Sequence, residues 1–286
     1  MPRKILFLMG VLLILFPGNR GGVLAEENRE KIAIGENFKI QSKILNEERQ
    51  LLVYLPNNYE RFHNAYPVLY LLDGGVHFHH VSGLVQFLSV NSRIPEMIIV
   101  ALPNTIRTRD LTPTAVADRA GSGGADNFLK FMQEELFPYV EKNYRTQPFR
   151  LLVGHSLGGL FADYTYLSHN DMFNAYLAIS PWLLYDDGNL VQKTKTYLEK
   201  LPDEYRFLYT TVGDEPNVIP EIEKFNQLLN ESAPKSLDWE YVEMKDDDHG
   251  SVVHLSIYNG LLRLYQDWKL PFDLGKNAVT TVTQHF

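Results

Sequence analysis

The sequence predicts a three-layer α/β fold, a mostly parallel sheet covered by helices on both faces. Three observations carry this expectation. Short, unbroken apolar runs recur along the chain, the signature of strands buried on both faces. Stretches of helical period alternate with them, as right-handed strand–helix–strand crossovers require. A Gly-x-Ser-x-Gly pentapeptide, Gly154-His155-Ser156-Leu157-Gly158, stands where one such strand passes into one such helix.

Taken in order, residues 30–59 read as two antiparallel strands. Residues 38–42 alternate in polarity, and 50–55 follow the polar turn Asn46-Glu47-Glu48. The first buried run, 68–72, lies between Pro67 and Asp73-Gly74-Gly75, and the second, 97–102, lies between Pro95 and Pro103. Further runs fall at 149–153, 175–179, 207–212 and 239–244. Helical periodicity covers 127–144 (Phe128, Phe131, Met132, Leu136, Val140), the residues after Gly158, 220–230 and 252–268. Residues 105–124, with Gly121-Ser122-Gly123-Gly124, read as a long loop at a strand end, where loops commonly line sites. No repeat, low-complexity block or linker interrupts the pattern, so residues 26–286 read as one domain. The patterning of 271–286 is too weak to place.

Length and composition agree with that reading. A chain of 286 residues, 45% apolar and 22% charged, can bury one large α/β core. A net charge of −8 argues against a general nucleic-acid or anionic-membrane surface. Met1-Pro2-Arg3-Lys4 is basic, and the apolar core at 5–16 is too short to span a bilayer comfortably. Pro17 and Gly18 then break the run, and Val23-Leu24-Ala25 places small residues at the −3 and −1 sites. This is the layout of a cleavable secretory signal over residues 1–25, cut after Ala25, and it predicts a secreted or periplasmic protein with no membrane association after cleavage. Cysteine is absent, so neither a disulfide nor a lipid-attachment cysteine is available.

The pentapeptide suggests nucleophilic catalysis. A serine hydroxyl attacks a carbonyl only when a base accepts its proton. His249 is the best-placed base. It follows the last strand-like run through the polar loop Lys245-Asp246-Asp247-Asp248 and precedes the last helix, in the Ser–acid–His order of a strand–turn–helix nucleophile. His254 falls on that helix and is expected to point elsewhere. The run 207–212 ends in Gly213-Asp214-Glu215-Pro216. Glu215, one residue further into the loop, is the preferred acid, with Asp214 the alternative. The backbone N–H of Leu157 supplies one oxyanion donor, and Gly75, in the loop after the third strand, is assigned the other. Arg107 and Arg109, with Arg119, are candidates to meet an anionic substrate. Trp182 reads equally as a pocket wall or a core residue. His77-Phe78-His79-His80 holds three histidines, but no nearby spacing completes a metal site, so a loop or helix start beside the active site is expected. The three aspartates 246–248 read as a solvated acidic loop. No metal or cofactor is expected.

Six stretches, taken together, resemble a known family. They are Val53-Tyr54-Leu55-Pro56, Leu69-Tyr70-Leu71-Leu72-Asp73-Gly74, residues 104–113 beginning Asn104-Thr105-Ile106-Arg107, residues 123–129, residues 154–161, and Asp248-His249-Gly250-Ser251-Val252. The chain is similar to the putative-esterase family of α/β-hydrolases. That family holds enterochelin-type siderophore esterases, esterase D-like enzymes, feruloyl and acetyl xylan esterases, and mycolyltransferases. The similarity is greatest to the branch of periplasmic siderophore esterases. It implies the α/β-hydrolase fold, with the nucleophile on Ser156 and the base on His249, while the acid position varies among members. Residues 180–186 depart from the pattern, since relatives often carry a tryptophan pair before the aspartate, where this chain has Trp182 and Asp186. The expectation is therefore an exported serine hydrolase of carboxylic esters, siderophore or carbohydrate esters among them. Acyl transfer to a sugar or lipid acceptor, and a non-catalytic ligand-binding module on the same fold, are the alternatives.

Overall fold

The computed structural model describes residues 31–269. The expected signal segment 1–25 and the tail 271–286 lie outside the described residues. Among the described residues, those from Ile34 on form one compact unit. It opens with the antiparallel pair β1 (Glu36–Ser42) and β2 (Glu47–Tyr54), joined by a turn in which Asn46 takes a positive φ of 51°. The turn lies earlier than the sequence suggested, and Glu47 and Glu48 are strand residues.

Strand β3 (Tyr66–Leu71), helix α1 (Gly74–Val90) and strand β4 (Ile98–Ala101) follow. A short helix α2 (Arg107–Leu111) lies inside the expected loop, and α3 (Ala125–Phe131) continues through a π-helical turn, Met132–Leu136, into α4 (Phe137–Asn143). Pro138 has no N–H to donate, so an unbroken α ladder cannot run through this stretch. The remainder alternates strictly. It comprises β5 (Thr146–His155), α5 (Leu157–Ser168), β6 (Ala175–Ile179), α6 (Tyr185–Leu198), β7 (Arg206–Val212), α7 (Ile219–Ser232), β8 (Leu237–Glu243) and α8 (Val252–Leu264).

The strands form one sheet in the order β1-β2-β4-β3-β5-β6-β7-β8. From β4 to β8 every pairing is parallel, while β1 and β2 are antiparallel. Alternate residues point to opposite faces and feed two cores. Val68, Tyr70, Leu152, Tyr176 and Leu208 pack with Phe128, Phe161 and Phe225 on one side. Leu69, Leu71, Leu151, Val153 and Leu177 pack with Val81 and Val85 of α1 and Ile257 and Leu261 of α8 on the other. The three-layer α/β-hydrolase architecture is thus observed.

Besides the short α2, helices α1 and α6 are not marked as periodic segments in the sequence, although a helix start is one placement it offers for His77–His80 in α1. Helix α1 carries three glycines and several valines, which weaken local helix propensity, and its apolar face is legible only against the sheet. Helix α6 begins with three residues of positive φ, Asp186, Asp187 and Gly188, which disrupt the periodic pattern at its start.

The chain order places the functional end of the sheet. Strands β3 and β5 are neighbours, and the connections from their carboxyl ends leave in opposite directions, from β3 to β4 and from β5 to β6. Such a switch point opens a crevice at the strand ends. Asp73 follows β3 there and Ser156 follows β5.

Candidate active site

Ser156 occupies the single residue between β5 and α5, with φ 60° and ψ −115°. This is a costly backbone for a residue with a side chain, and neighbouring bonds hold it in place. Its N–H donates to Ile179 O at 2.9 Å, and its carbonyl accepts from Leu160 N at 2.9 Å and Trp182 N at 3.1 Å. The turn needs Gly154, because a Cβ there would stand 2.1 Å from Gly158 O. The strand–helix setting of the pentapeptide therefore forces a sharp, strained turn at the serine.

The described hydrogen bonds leave the amides of Leu157, Gly158 and Gly159, the first turn of α5, without an acceptor. A helix N-terminus with open N–H groups favours developing negative charge. In α1, Gly74 N–H donates to Leu102 O at 3.0 Å, and Val76 and His77 donate to Asp73 O. Among the described hydrogen bonds Gly75 N–H is left open. A Cβ at Gly75 would meet only Pro103 Cβ, at 4.0 Å, so the fold does not itself demand glycine there. Gly74 is the residue that packing requires, since its Cβ would fall 2.8 Å from Leu102 N.

His249 and Glu215 come together across the ends of β7 and β8. His249 Nδ1 lies 2.5 Å from Glu215 Oε2. The other carboxylate oxygen accepts from Ser180 Oγ–H at 2.6 Å and from Gly213 N–H at 3.3 Å. Asp214 does not share this arrangement. Its amide donates to Asp247 O at 2.7 Å, which ties the β7 loop to the loop carrying His249. Ser180 was not picked out from the sequence as a site residue. It is wholly buried with φ 40°, just past β6, and no local pattern marks a serine in that position.

No described hydrogen bond joins the Ser156 hydroxyl to His249. The link between them runs through His155, whose Nε2 lies 2.7 Å from His249 O with ring centroids 4.5 Å apart. Burial, and then the neighbouring His249, push the His155 imidazole down to about 4. Catalytic contacts are often long in unliganded enzymes.

Two of the arginine candidates already hold partners within the protein. The Arg107 side chain is 33% exposed. It grips Asp73 through Nε–Oδ1 at 2.6 Å and Nη2–Oδ2 at 3.0 Å, and Nη2 also donates to His155 O at 3.0 Å. Asn104 Nδ2 adds a 2.5 Å bond to Asp73 Oδ1. Burial works against charge on Asp73, but the Arg107 and Asn104 bonds outweigh it and hold the carboxyl below its ordinary range. Arg107 thus pins the left-handed Asp73 (φ 53°) to the end of β5. Arg109 forks onto Glu47 and also bonds Asp110 at 2.7 Å, beside the buried Arg49–Asp110 pair at 2.6 Å. Sequence gives the charge of both arginines but not the carboxylates that the fold brings to them.

Arg119 is placed differently. Its guanidinium stacks 4.4 Å from the Trp182 ring centroid. Together they line a cleft of about 490 Å³, with Tyr185, Asp118, Asp186 and Asp187 also in its wall. Trp182 therefore borders a cleft, and its backbone touches Ser156. The histidine cluster lies in the first turns of α1, the second of the two placements that the sequence offered. His77 Nδ1 is 3.0 Å from His80 Nε2, and His80 Nδ1 is 3.1 Å from His254 Nδ1 on α8. Asp248 is more than a solvated charge. Its Oδ1 accepts from Gly250 and Ser251 N–H, both at 2.8 Å, and so shapes the turn after His249.

A sequence model of the family described as "Putative esterase" matches residues 42–213, more than half of the chain. The chain belongs to this family. Ferri-bacillibactin esterase BesA of Bacillus subtilis is 32% identical over 158 residues, 47% of this chain and 54% of BesA. The siderophore triacetylfusarinine C esterase of Aspergillus fumigatus is 25% identical over 240 residues, 71% of this chain and 82% of that protein. The matched segment thus spans only about half the length of BesA, and 59% of the Bacillus subtilis protein YbbA. Among solved structures, an IroE-like serine hydrolase from Shewanella oneidensis superimposes with a TM-score of 0.79 at 32% identity, over 82% of this chain and 81% of that one.

Proposed function

We propose that the protein is an exported serine hydrolase of carboxylic esters, with siderophore-type esters as its substrate class. The observation that supports the reading is a strained serine beside open backbone amides at the carboxyl ends of the strands, with a histidine bonded to a carboxylate and in contact with the residue before the serine. In this reading Ser156 Oγ attacks the ester carbonyl while His249 Nε2 takes its proton. Glu215 holds Nδ1–H and so fixes the tautomer that leaves Nε2 free to accept. The N–H groups of Leu157 and Gly75 receive the oxyanion, each such donor being worth about 10² to 10³ in rate. His249 then passes its proton to the leaving alcohol. Water hydrolyses the acyl group on Ser156 by the same route reversed. The substrate class rests on the names of the siderophore esterases that the chain resembles, and export rests on the N-terminal pattern. Turnover of p-nitrophenyl esters by wild type and Ser156→Ala tests the chemistry. Loss of turnover in the variant is expected, and equal rates would refute the assignment. A parallel assay on a siderophore tri-ester and a feruloyl ester tests the substrate class.

A further inference from the structure

We infer that His155, the residue before the serine, is a positioning residue that sets the distance between Ser156 and His249. The inference rests on the functional reading above and deepens it. The loop 244–251 that carries His249 leaves the sheet after β8 and is polar and largely exposed. A base on such a loop needs an anchor if its ring is to meet the serine within a fraction of an ångström. One anchor is the carboxylate of Glu215, which holds the ring by Nδ1. The bond from Asp214 N–H to Asp247 O ties the loop two residues before His249, and Asp248 Oδ1 shapes the turn after it, but neither holds the carbonyl of His249 itself, which keeps a local freedom to tilt.

His155 removes that freedom. Its Nε2 sits 2.7 Å from the His249 carbonyl, which can only accept, so Nε2 carries the proton and donates. The donor is joined covalently to the serine, one residue away along β5, so a single side chain spans from nucleophile backbone to base backbone. Two rings pack against His155. His77 meets it edge-on, with centroids 6.0 Å apart and planes at 83°, and the His249 ring lies 4.5 Å away with planes at 44°. Its own carbonyl is held by Arg107 Nη2 at 3.0 Å, the same guanidinium that grips Asp73 at the mouth of α1. Nucleophile, base and the α1 amide turn are thereby referred to one backbone position. A neutral imidazole suits the task, because a second cation beside His249 would oppose formation of its imidazolium during attack.

The test separates the donor from the ring. His155→Phe keeps a flat ring and removes the N–H, whereas His155→Gln places an amide N–H close to where Nε2 stands. With a p-nitrophenyl ester, His155→Phe is expected to lower kcat by about 10- to 100-fold with KM within about twofold of wild type, since misplacement by about 1 Å costs on that scale. His155→Gln is expected to recover most of that loss. A purely structural role would instead lower the melting temperature and leave kcat per folded molecule unchanged. If His155→Phe does not fold, His155→Met supplies the arm without a donor. Wild-type kcat in the donor-less variant, or a Gln variant no better than the Phe one, overturns the inference while Ser156→Ala remains inactive. Equal activity of wild type and Ser156→Ala overturns the functional reading and this inference with it.

Discussion

Ser180 offers the sharpest test of how the site is built, because its backbone and its hydroxyl act in opposite directions. It is wholly buried, its φ is 40°, and its Oγ–H donates to Glu215 Oε1 at 2.6 Å. Without the hydroxyl, that oxygen keeps only the longer bond from Gly213 N–H, at 3.3 Å. A hydrogen bond to a charged group contributes about 1.5–3 kcal/mol, or about 10- to 150-fold, to holding the carboxylate in its orientation against His249. Water entering the space would restore part of this, so Ser180→Ala is expected to lower kcat by roughly 5- to 50-fold. KM should hold within about twofold, because a buried side chain does not reach the substrate. Ser180→Gly removes the same hydroxyl but relieves the left-handed backbone. That strain costs a residue with a Cβ about 1–2 kcal/mol, and glycine's larger chain entropy returns about 0.5–1 of it. The glycine variant should therefore be more stable than the alanine variant by up to about 1 kcal/mol while being equally impaired in kcat. Urea denaturation and steady-state kinetics on the same preparations read both quantities. A folded Ser180→Gly enzyme with wild-type kcat would refute the role of the hydroxyl. A glycine variant less stable than the alanine variant would refute the strain argument.

Three further outcomes are expected. Glu215→Gln should reduce kcat far more than Asp214→Asn, because only Glu215 reaches His249 Nδ1; comparable losses in the two would reopen the choice of acid. Asp163 on α5 is fully buried with neither carboxyl oxygen bonded among the described residues, and burial raises its pKa well above 3.8. Folding therefore favours its protonated form, and that contribution is lost as pH rises from about 4 through the folded-state value. Asp163→Asn should flatten this fall and gain about 1–3 kcal/mol where the wild type must either stay protonated or bury the charge; urea midpoints between pH 5 and 8 that run parallel for the two proteins would contradict it. Arg49→Met should cost about 3 kcal/mol in a urea titration, the lower end for breaking a buried ion pair, because Arg109 still bonds Asp110 at 2.7 Å. A loss under about 1 kcal/mol would show that the Glu47–Arg49–Asp110–Arg109 network contributes little net stability.

Much of the sheet was legible because buried parallel strands leave apolar runs, as β3 to β7 do, whereas the edge strand β8 is only partly buried and carries Glu240 and Glu243 among its apolar residues. The antiparallel pair was legible by a different signal, alternation with a turn. Helices α1 and α6 were not. Their glycines and left-handed residues hide a helical period that packing, rather than propensity, sustains. Site residues divide along the same line. Ser156 stands in a motif whose spacing is itself the physics of the turn, and His249 and Glu215 follow in a fixed order along the chain. The choice of Glu215 over Asp214 depended on where one loop crosses another.

By itself, then, the sequence determined the layers, the strained turn at Ser156 and the side chains able to act there, because these follow from local period and from residues a few positions apart. Only the tertiary structure decided the partners. It gave Arg107 to Asp73 and Arg109 to Glu47, set Ser180 behind Glu215, and brought His155 to the carbonyl of a histidine 94 residues away. Charge and hydrogen-bonding capacity are written residue by residue, but whether they face a ligand or one another is fixed only when the strand ends converge.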